Sequence, residues 1–228
     1  MAFITLTNSG YIDYTRNCLK SLERIGSTTP LHTYCIGKDG YKTLTDAGYP
    51  CTLIDEEQFS GFQTFRKGCW SNIVHMKFKI IYENLLKYDT VCFTDGDIVF
   101  EHADFYKYLT DNLGDKDMLV QSEALEDHVT NIACSGFMFI KSNPATLAFF
   151  DPKKTIMNAN KAGWGDQVYV NANRHQLKHN LLPLKLYPNG RYYYKNSETI
   201  KPYMIHFNWL VGHTKKTKMK KHGKWYLD

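Results

Sequence analysis

The chain has 228 residues, 43% of them apolar and 14% aromatic, which is enough to build a proper core in one large domain or two small ones. No run approaches the ~20 apolar residues of a membrane span, and the N-terminus lacks a basic region, apolar stretch and cleavage site, so neither an anchor nor a signal peptide is expected. The net charge of +5 is uneven: from Lys201 onward there are seven lysines and one aspartate, so the attraction for any anionic ligand belongs to the C-terminal segment.

The chain opens with Phe3-Ile4-Thr5-Leu6-Thr7, a β-branched and apolar strand, followed by the loop Asn8-Ser9-Gly10 and a helix from about Tyr11 to Ile25. A strand over Leu31 to Ile36, a short helix over Lys38 to Ala47 and a strand over Cys51 to Ile54 come next. This alternation predicts an α/β fold with a mostly parallel sheet flanked by helices. In such a sheet the loop after the first strand lies at the ligand edge, where Thr7, Asn8 and Tyr11 are candidates for holding a nucleotide. The competing reading of Asn8-Ser9-Gly10 is a helix cap and turn.

Trp70 to Leu86 reads as an amphipathic helix in which Ile73, Met76, Ile80, Ile81 and Leu85 form one stripe. Lys77 falls in the middle of that stripe, so its ammonium must either snorkel to water or meet an anion. The helix leads into Thr90-Val91-Cys92-Phe93-Thr94, a buried strand that stops at Asp95-Gly96-Asp97, before a second apolar run, Ile98-Val99-Phe100.

Two carboxylates at the end of a buried strand are the strongest chemical signal in the chain. Residues two apart in an extended segment point the same way, and a glycine between them removes the intervening side chain, so Asp95 and Asp97 can face one hard cation, Mn²⁺ or Mg²⁺. A polar turn is the plain alternative. An EF-hand loop is excluded, because counting from Asp95 puts Phe100 and Tyr106 where glycine and glutamate are required. A phosphatase with Asp95 as nucleophile and Asp97 as general acid fits the local pattern.

Beyond this motif, Ala103 to Asn112 reads as helix and Met118 to Gln121 as a short strand. Asn131 to Ile140 is an apolar strand whose start, Ala133-Cys134-Ser135-Gly136, is small enough for a ligand or backbone to approach closely. Pro144 opens a helix through Phe150. Gly163-Trp164-Gly165-Asp166-Gln167 precedes a helix over Val168 to Gln176, with Asp166 suited to cap it. Leu181 to Tyr187 is expected to be a strand, and Arg191-Tyr192-Tyr193-Tyr194 either an aromatic patch for sugar rings or an edge strand. His206 ends a short strand and offers an imidazole to a divalent ion, while Gly212 and Lys215 are placed to close over a phosphate.

The six cysteines are scattered with no C-x-x-C spacing, and no Asn-x-Ser/Thr acceptor occurs, a pattern expected of a reduced, cytoplasmic protein or of an excised lumenal domain lacking its anchor. A non-enzymatic module binding glycans or nucleic acid through the tyrosines and lysines is a further alternative, although no nucleic acid is expected as a partner.

Taken together, the first-strand loop, the helix lysine, Phe93-Thr94-Asp95-Gly96-Asp97, Ser135-Gly136-Phe137-Met138, Asp166-Gln167 and His206-Phe207-Asn208-Trp209-Leu210-Val211-Gly212 resemble the nucleotide-diphospho-sugar transferases of GT-A fold. The likeness is to the retaining α-glycosyltransferases with a D-x-D motif and, more distantly, to glycogenin-like proteins, and it spans Phe3 to Trp225. It implies a single Rossmann-like GT-A domain over residues 1–228, with a nucleotide-binding half over 1–100 and an acceptor and sugar half over 101–228 that ends in a basic lid. The implied reaction moves a sugar from a nucleoside diphosphate, UDP by preference, to a glycan or glycoprotein acceptor.

By the same resemblance, Asp95, Asp97 and His206 would serve the metal, with His213 as the alternative imidazole. Thr7, Asn8, Tyr11, Lys77, Asp95, Ser135, Gly136, Gly212 and Lys215 would hold the donor, and Asp166 and Gln167 would lie at the transferring sugar. Relatives often carry Asn where this chain has Ala133 or Cys134, a departure that bears on sugar specificity.

Overall fold

The computed structural model describes residues 1–62, 70–126, 131–159 and 165–228. Nine strands and nine α-helices occur among them: β1 (Ala2–Asn8), α1 (Ile12–Arg24), β2 (His32–Ile36), α2 (Lys38–Asp46), β3 (Cys51–Ile54), α3 (Trp70–Leu85), β4 (Thr90–Thr94), β5 (Ile98–Phe100), α4 (Phe105–Leu113), β6 (Met118–Ser122), β7 (Ala133–Lys141), α5 (Pro144–Phe150), α6 (Pro152–Ala159), α7 (Asp166–Asn173), β8 (His179–Leu181), α8 (Gly190–Asn196), β9 (Met204–His206) and α9 (His213–Lys221). Gly163 and Trp164, noted above as the approach to the Asp-Gln pair, lie outside the described residues.

Seven strands form one sheet in the order β3-β2-β1-β4-β7-β6-β8. The pairs β1/β2, β1/β4, β2/β3 and β6/β8 are parallel, and only β7 runs against its two neighbours. Because β7 pairs with β4, the two halves of the chain share this sheet rather than forming separate ones. Strand alternation sends successive side chains to opposite faces, so Phe3, Cys92 and Phe137 join a core with α1 and α4 on one side. Ile4, Phe93 and Met138 join Phe78, Ile81 and Phe150 on the other.

The reversed direction of β7 is what assembles the site. Parallel β1 and β4 both end at one edge, and an antiparallel β7 begins there, with Phe137 opposite Thr94. The Asp95 amide donates to the Gly136 carbonyl at 2.7 Å, so the small residues that open β7 flank the first acid directly.

Strands β5 and β9 form a second, two-stranded antiparallel sheet with Ile98 opposite His206. Helix α9 packs onto it through Met219, which is buried with Val99, Ile205 and Phe207. The chain then returns to α1, where Asn17 accepts from the Tyr226 amide at 2.6 Å and donates to the Lys224 carbonyl at 3.0 Å. The basic tail is therefore a docked part of the fold, not a free arm.

Four sequence expectations change. The run Leu181 to Tyr187 is not a strand: only His179–Leu181 pairs, and Pro183 lacks the N–H to carry the ladder further. Arg191 to Tyr194 is neither a flat patch nor an edge strand but lies in α8, where the Asn189 side chain accepts from the Tyr192 amide as an N-cap and Tyr192 and Tyr193 are buried. Asp166 does not cap α7 but is its first residue, with Gly165 at the cap position and the carboxylate engaged elsewhere. Helix α6 adds a segment that the sequence pattern did not suggest.

Candidate active site

The floor of the site is built by Asp95 and Asp97 at the end of β4 and by His206 at the end of β9. One ligand atom from each of these three lies within 4.8 Å of the others, and among the described residues this is the one such group of acids, histidines and cysteines. The His206 Nε2 is 3.2 Å from Asp97 Oδ1 and 3.9 Å from Asp95 Oδ2. Two carboxylate oxygens and an imidazole nitrogen suit Mn²⁺ or Mg²⁺, so the residues present fit a divalent ion. His213, the alternative ligand, is exposed at the first turn of α9 and stands outside this group.

The imidazole is held in one orientation by a residue the sequence did not single out. Gln121, fully buried on β6, donates its amide N–H groups to the carbonyls of Tyr187 (3.2 Å) and Pro188 (2.9 Å). Its oxygen must therefore face His206 Nδ1, 2.8 Å away, which makes Nδ1 the donor and aims Nε2 at the carboxylates.

Glycines make the approach of these groups feasible, though not all in the way the motif suggested. A Cβ on Gly136 would lie 2.3 Å from His206 Cε1 and 2.8 Å from Asp95 Oδ2, so the bare backbone of β7 is the space the imidazole and first acid occupy. Gly96 was expected to clear room between the two carboxylates. Its missing side chain also leaves room for Thr15 of α1, whose Oγ1 would be 2.4 Å from a Cβ there.

Two lysines neutralise the acids. Lys77, from the apolar face of α3, does not snorkel: it is buried, 3.0 Å from Asp95 Oδ1 and ion-paired with Asp166 Oδ2, while Ser135 Oγ donates to the same Asp166 oxygen at 2.8 Å. Burial opposes the Lys77 charge, but Asp166 and Asp95 outweigh it and raise its pKa above the ordinary lysine range. Burial likewise works against the Asp166 carboxylate, and Lys77 with Ser135 overcomes it, holding that carboxyl below its usual value. Asp95 keeps 32% of its side chain open, but burial dominates over Lys77 and His206 and raises its pKa.

Lys215, from the first turn of α9, is ion-paired with Asp97 Oδ2 and also donates to the Tyr11 hydroxyl. Burial would push Asp97 up, yet Lys215 and His206 hold it well below the carboxylate range. Against its own burial, His206 is raised by Asp97. Tyr11 therefore has its hydroxyl at the acids, 3.3 Å from Asp97 Oδ2, and its ring against Tyr14 at a 4.8 Å centroid separation.

These groups line a cavity of about 1100 Å³ whose wall also includes Thr7, Asn8, Phe62, Gln167, Asn171 and Trp209. Ser135, Gly136, Gly212 and Lys215 also line it, so every candidate residue except His213 is brought to one chamber. Not all present a free group: Asn8 spends its amide on the carbonyls of Phe59 (3.0 Å) and Gly61 (2.8 Å), and Thr7 Oγ1 accepts from Thr15 at 2.8 Å. The sequence reading missed Gln121, Glu123, Asn208 and Trp209. The last two lay inside a motif already marked but without an assigned role.

Residues 35–220 match the family model described as nucleotide-diphospho-sugar transferase. A curated relative, the UDP-galactose:fucoside alpha-3-galactosyltransferase of Dictyostelium discoideum, is 24% identical over 286 aligned residues, covering 99% of this chain and 43% of the relative. The chain thus spans less than half the length of that protein. Among solved structures, the galactosyltransferase LgtC with donor and acceptor sugar analogs superposes with a TM-score of 0.66 at 14% identity, covering 100% of this chain and 97% of the other. Mouse xyloside xylosyltransferase 1 in its apo form gives a TM-score of 0.56 at 11% identity, with coverages of 92% and 99%. At these identities the structural likeness speaks for the GT-A fold, while the match over residues 35–220 speaks for descent. The chain belongs to the nucleotide-diphospho-sugar transferases.

Proposed function

We propose that the protein transfers a glycosyl unit from a nucleoside-diphosphate sugar, with UDP as the carrier, to a hydroxyl of a glycan or protein-linked acceptor, with a divalent ion held by Asp95, Asp97 and His206. The observation that carries this reading is the meeting of those three residues with Lys77 and Lys215 in one chamber. When bound, Mn²⁺ or Mg²⁺ would neutralise charge on the diphosphate.

The chain's own groups supply the rest. Lys215 and the Gly212 backbone sit at the cluster's rim, suited to a leaving diphosphate, and preorganised positive charge there lowers the barrier where negative charge develops. Asp166, fixed by Lys77 and Ser135, would accept from donor sugar hydroxyls, with Gln167 next to it in the chain. In the transfer, the acceptor oxygen bonds to the anomeric carbon as the bond from that carbon to the β-phosphate oxygen breaks. The electron pair leaves with the diphosphate, which also takes the acceptor proton. A carboxamide is a poor nucleophile, so with Gln167 at the sugar, attack on the departing face with retention is preferred over a covalent glycosyl-enzyme.

The activity named for the Dictyostelium relative supports UDP-galactose as the first donor to try and a fucoside as the first acceptor. The test is a screen of sugar nucleotides with Mn²⁺ for release of nucleoside diphosphate, repeated with Asp97→Ala. Metal-dependent release lost in the variant supports the proposal, and release that survives the substitution without metal overturns it. The phosphatase alternative has less support, since Asp95 shares Lys77 with Asp166; a phospho-aspartate trapped at Asp95 would revive it.

A further inference from the structure

Trp209 is the one described non-glycine residue with a positive φ, 65°, a conformation that is strained for a bulky side chain. Such strain persists only where surrounding contacts impose it. Here Asn208 imposes it: its Oδ1 accepts from the Gly190 amide at 2.7 Å, its carbonyl accepts from the Tyr194 hydroxyl at 3.2 Å, and its Nδ2 donates to both oxygens of Glu123 at 3.1 and 3.3 Å. The loop is clamped to the start of α8 on one side and to the end of β6 on the other.

The result is an indole that remains 48% exposed at the wall of the cavity. One face is covered by the Arg191 guanidinium, 3.6 Å from the ring centroid, and this contact fixes the ring. Beside it lies Glu123, whose carboxylate accepts from Asn208 and is raised above the usual range mainly by burial. Ile132 and Val211, both exposed, continue the apolar rim.

We propose that Trp209 and Glu123 form the subsite for the acceptor, which takes a neutral pyranose with its apolar face on the indole and a ring hydroxyl donated to the carboxylate. This rests on the glycosyltransferase reading above and adds to it the class of acceptor. A flat aromatic surface matches the C–H face of a pyranose, and a carboxylate accepts hydroxyl protons. The same carboxylate repels an acidic sugar, which makes the preferred acceptor neutral. The subsite adjoins the cluster through Asn208, two residues after His206, so an acceptor held here shares the chamber with Asp166 and Gln167.

The test uses the full chain with UDP-galactose, Mn²⁺ and a panel of p-nitrophenyl glycosides, α-L-fucoside, β-D-galactoside, β-D-xyloside and β-D-glucuronide. Trp209→Gly removes the indole at a position whose backbone favours glycine. Its acceptor KM is expected to rise about tenfold, the equivalent of ~1.4 kcal/mol, while the Kd for Mn²⁺-UDP by calorimetry moves less than twofold. Trp209→Phe keeps a ring and is expected to recover KM to within about threefold of the wild type. The glucuronide should be the poorest acceptor, and Glu123→Gln should narrow its disadvantage.

An unchanged acceptor KM in Trp209→Gly, or equal losses in acceptor and UDP binding, overturns the inference while leaving the transferase reading intact. Failure of the wild type to turn over any sugar nucleotide overturns the transferase reading instead. Should the glycine variant not fold, acceptor titration of tryptophan emission in the wild type, compared with Trp209→Phe, decides the point. A response that is identical in the two proteins would count against Trp209.

Discussion

The Lys215 ammonium and the Asp97 carboxylate, 118 residues apart in the chain, form a buried ion pair on the acid that also faces His206. Removing one partner of such a pair leaves an uncompensated charge, which typically costs ~3–5 kcal/mol. Lys215→Met should therefore lower unfolding free energy by about 3 kcal/mol without metal, by the same principle. Added Mn²⁺ should restore part of it, because a divalent ion can take over the neutralisation of Asp97. Urea unfolding with and without Mn²⁺ checks this, and a loss that Mn²⁺ leaves untouched would place the metal elsewhere.

Asp166 gives a pH signature. Its carboxyl is held below the usual aspartate range because Lys77 and Ser135 overcome the effect of burial. A carboxyl lowered on folding contributes stability above its unfolded pKa, and that contribution disappears as pH falls through the folded value. Asp166→Asn should cost about 2 kcal/mol near neutrality, less than for an isolated buried pair, because Asp95 remains 3.0 Å from Lys77. The gap between wild type and variant should stay level from about pH 7 to 5 and narrow below about 4. A gap that widens in acid would show the sign to be wrong.

Gln121 touches neither acid yet sets which imidazole nitrogen is available. Gln121→Leu keeps the volume and removes the acceptor at Nδ1, so Mn²⁺ affinity should drop about 10- to 100-fold. Calorimetric titration with Mn²⁺ measures this directly, and the Kd for the metal should shift more than the melting temperature.

Gly136→Ala tests the close approach at the start of β7. The added methyl must displace His206 or Asp95, costing about 1–3 kcal/mol in stability and moving two of the three candidate ligands. Loss of Mn²⁺ binding in a variant that still melts cooperatively is the expected outcome. By contrast, Gly61→Ala meets nothing within 4 Å at an ordinary φ and serves as the control for an added methyl without a clash.

How legible the site was depended on how local each signal is. Asp95 and Asp97 announced themselves because two charges at the end of a buried strand are costly without a purpose, and Lys77 because helical phase put it on the wrong face for solvent. Gln121 and Glu123 could not be read, since their partners, Tyr187, Pro188 and His206 for the first and Asn208 for the second, come from segments far along the chain, a long-range fact absent from local pattern. The tyrosines of α8 misled because aromatic residues favour strands, whereas the decisive cue was the Asn189-Gly190 start that caps a helix. Pro183 is the signal against a strand through Tyr187, and the leucines around it mark burial without a preference for extended backbone. Gly96 has a further role that local pattern does not carry, since the helix it admits, α1, comes from far earlier in the chain.

The short ladder that sets Ile98 against His206 has an implication for how the chain can vary. Strand side chains alternate with a period of two, so a slip of one rung would turn the imidazole to the opposite surface and dismantle the cluster. The loop from Phe207 to Gly212 lies beyond the last rung. Its length is held at both ends, by the Phe207 amide on the Asp97 carbonyl (3.1 Å) and by Lys215 on the Asp97 carboxylate, but the side chains of Trp209, Leu210 and Val211 between them can change identity and diversify recognition while the chemistry next to them stays fixed.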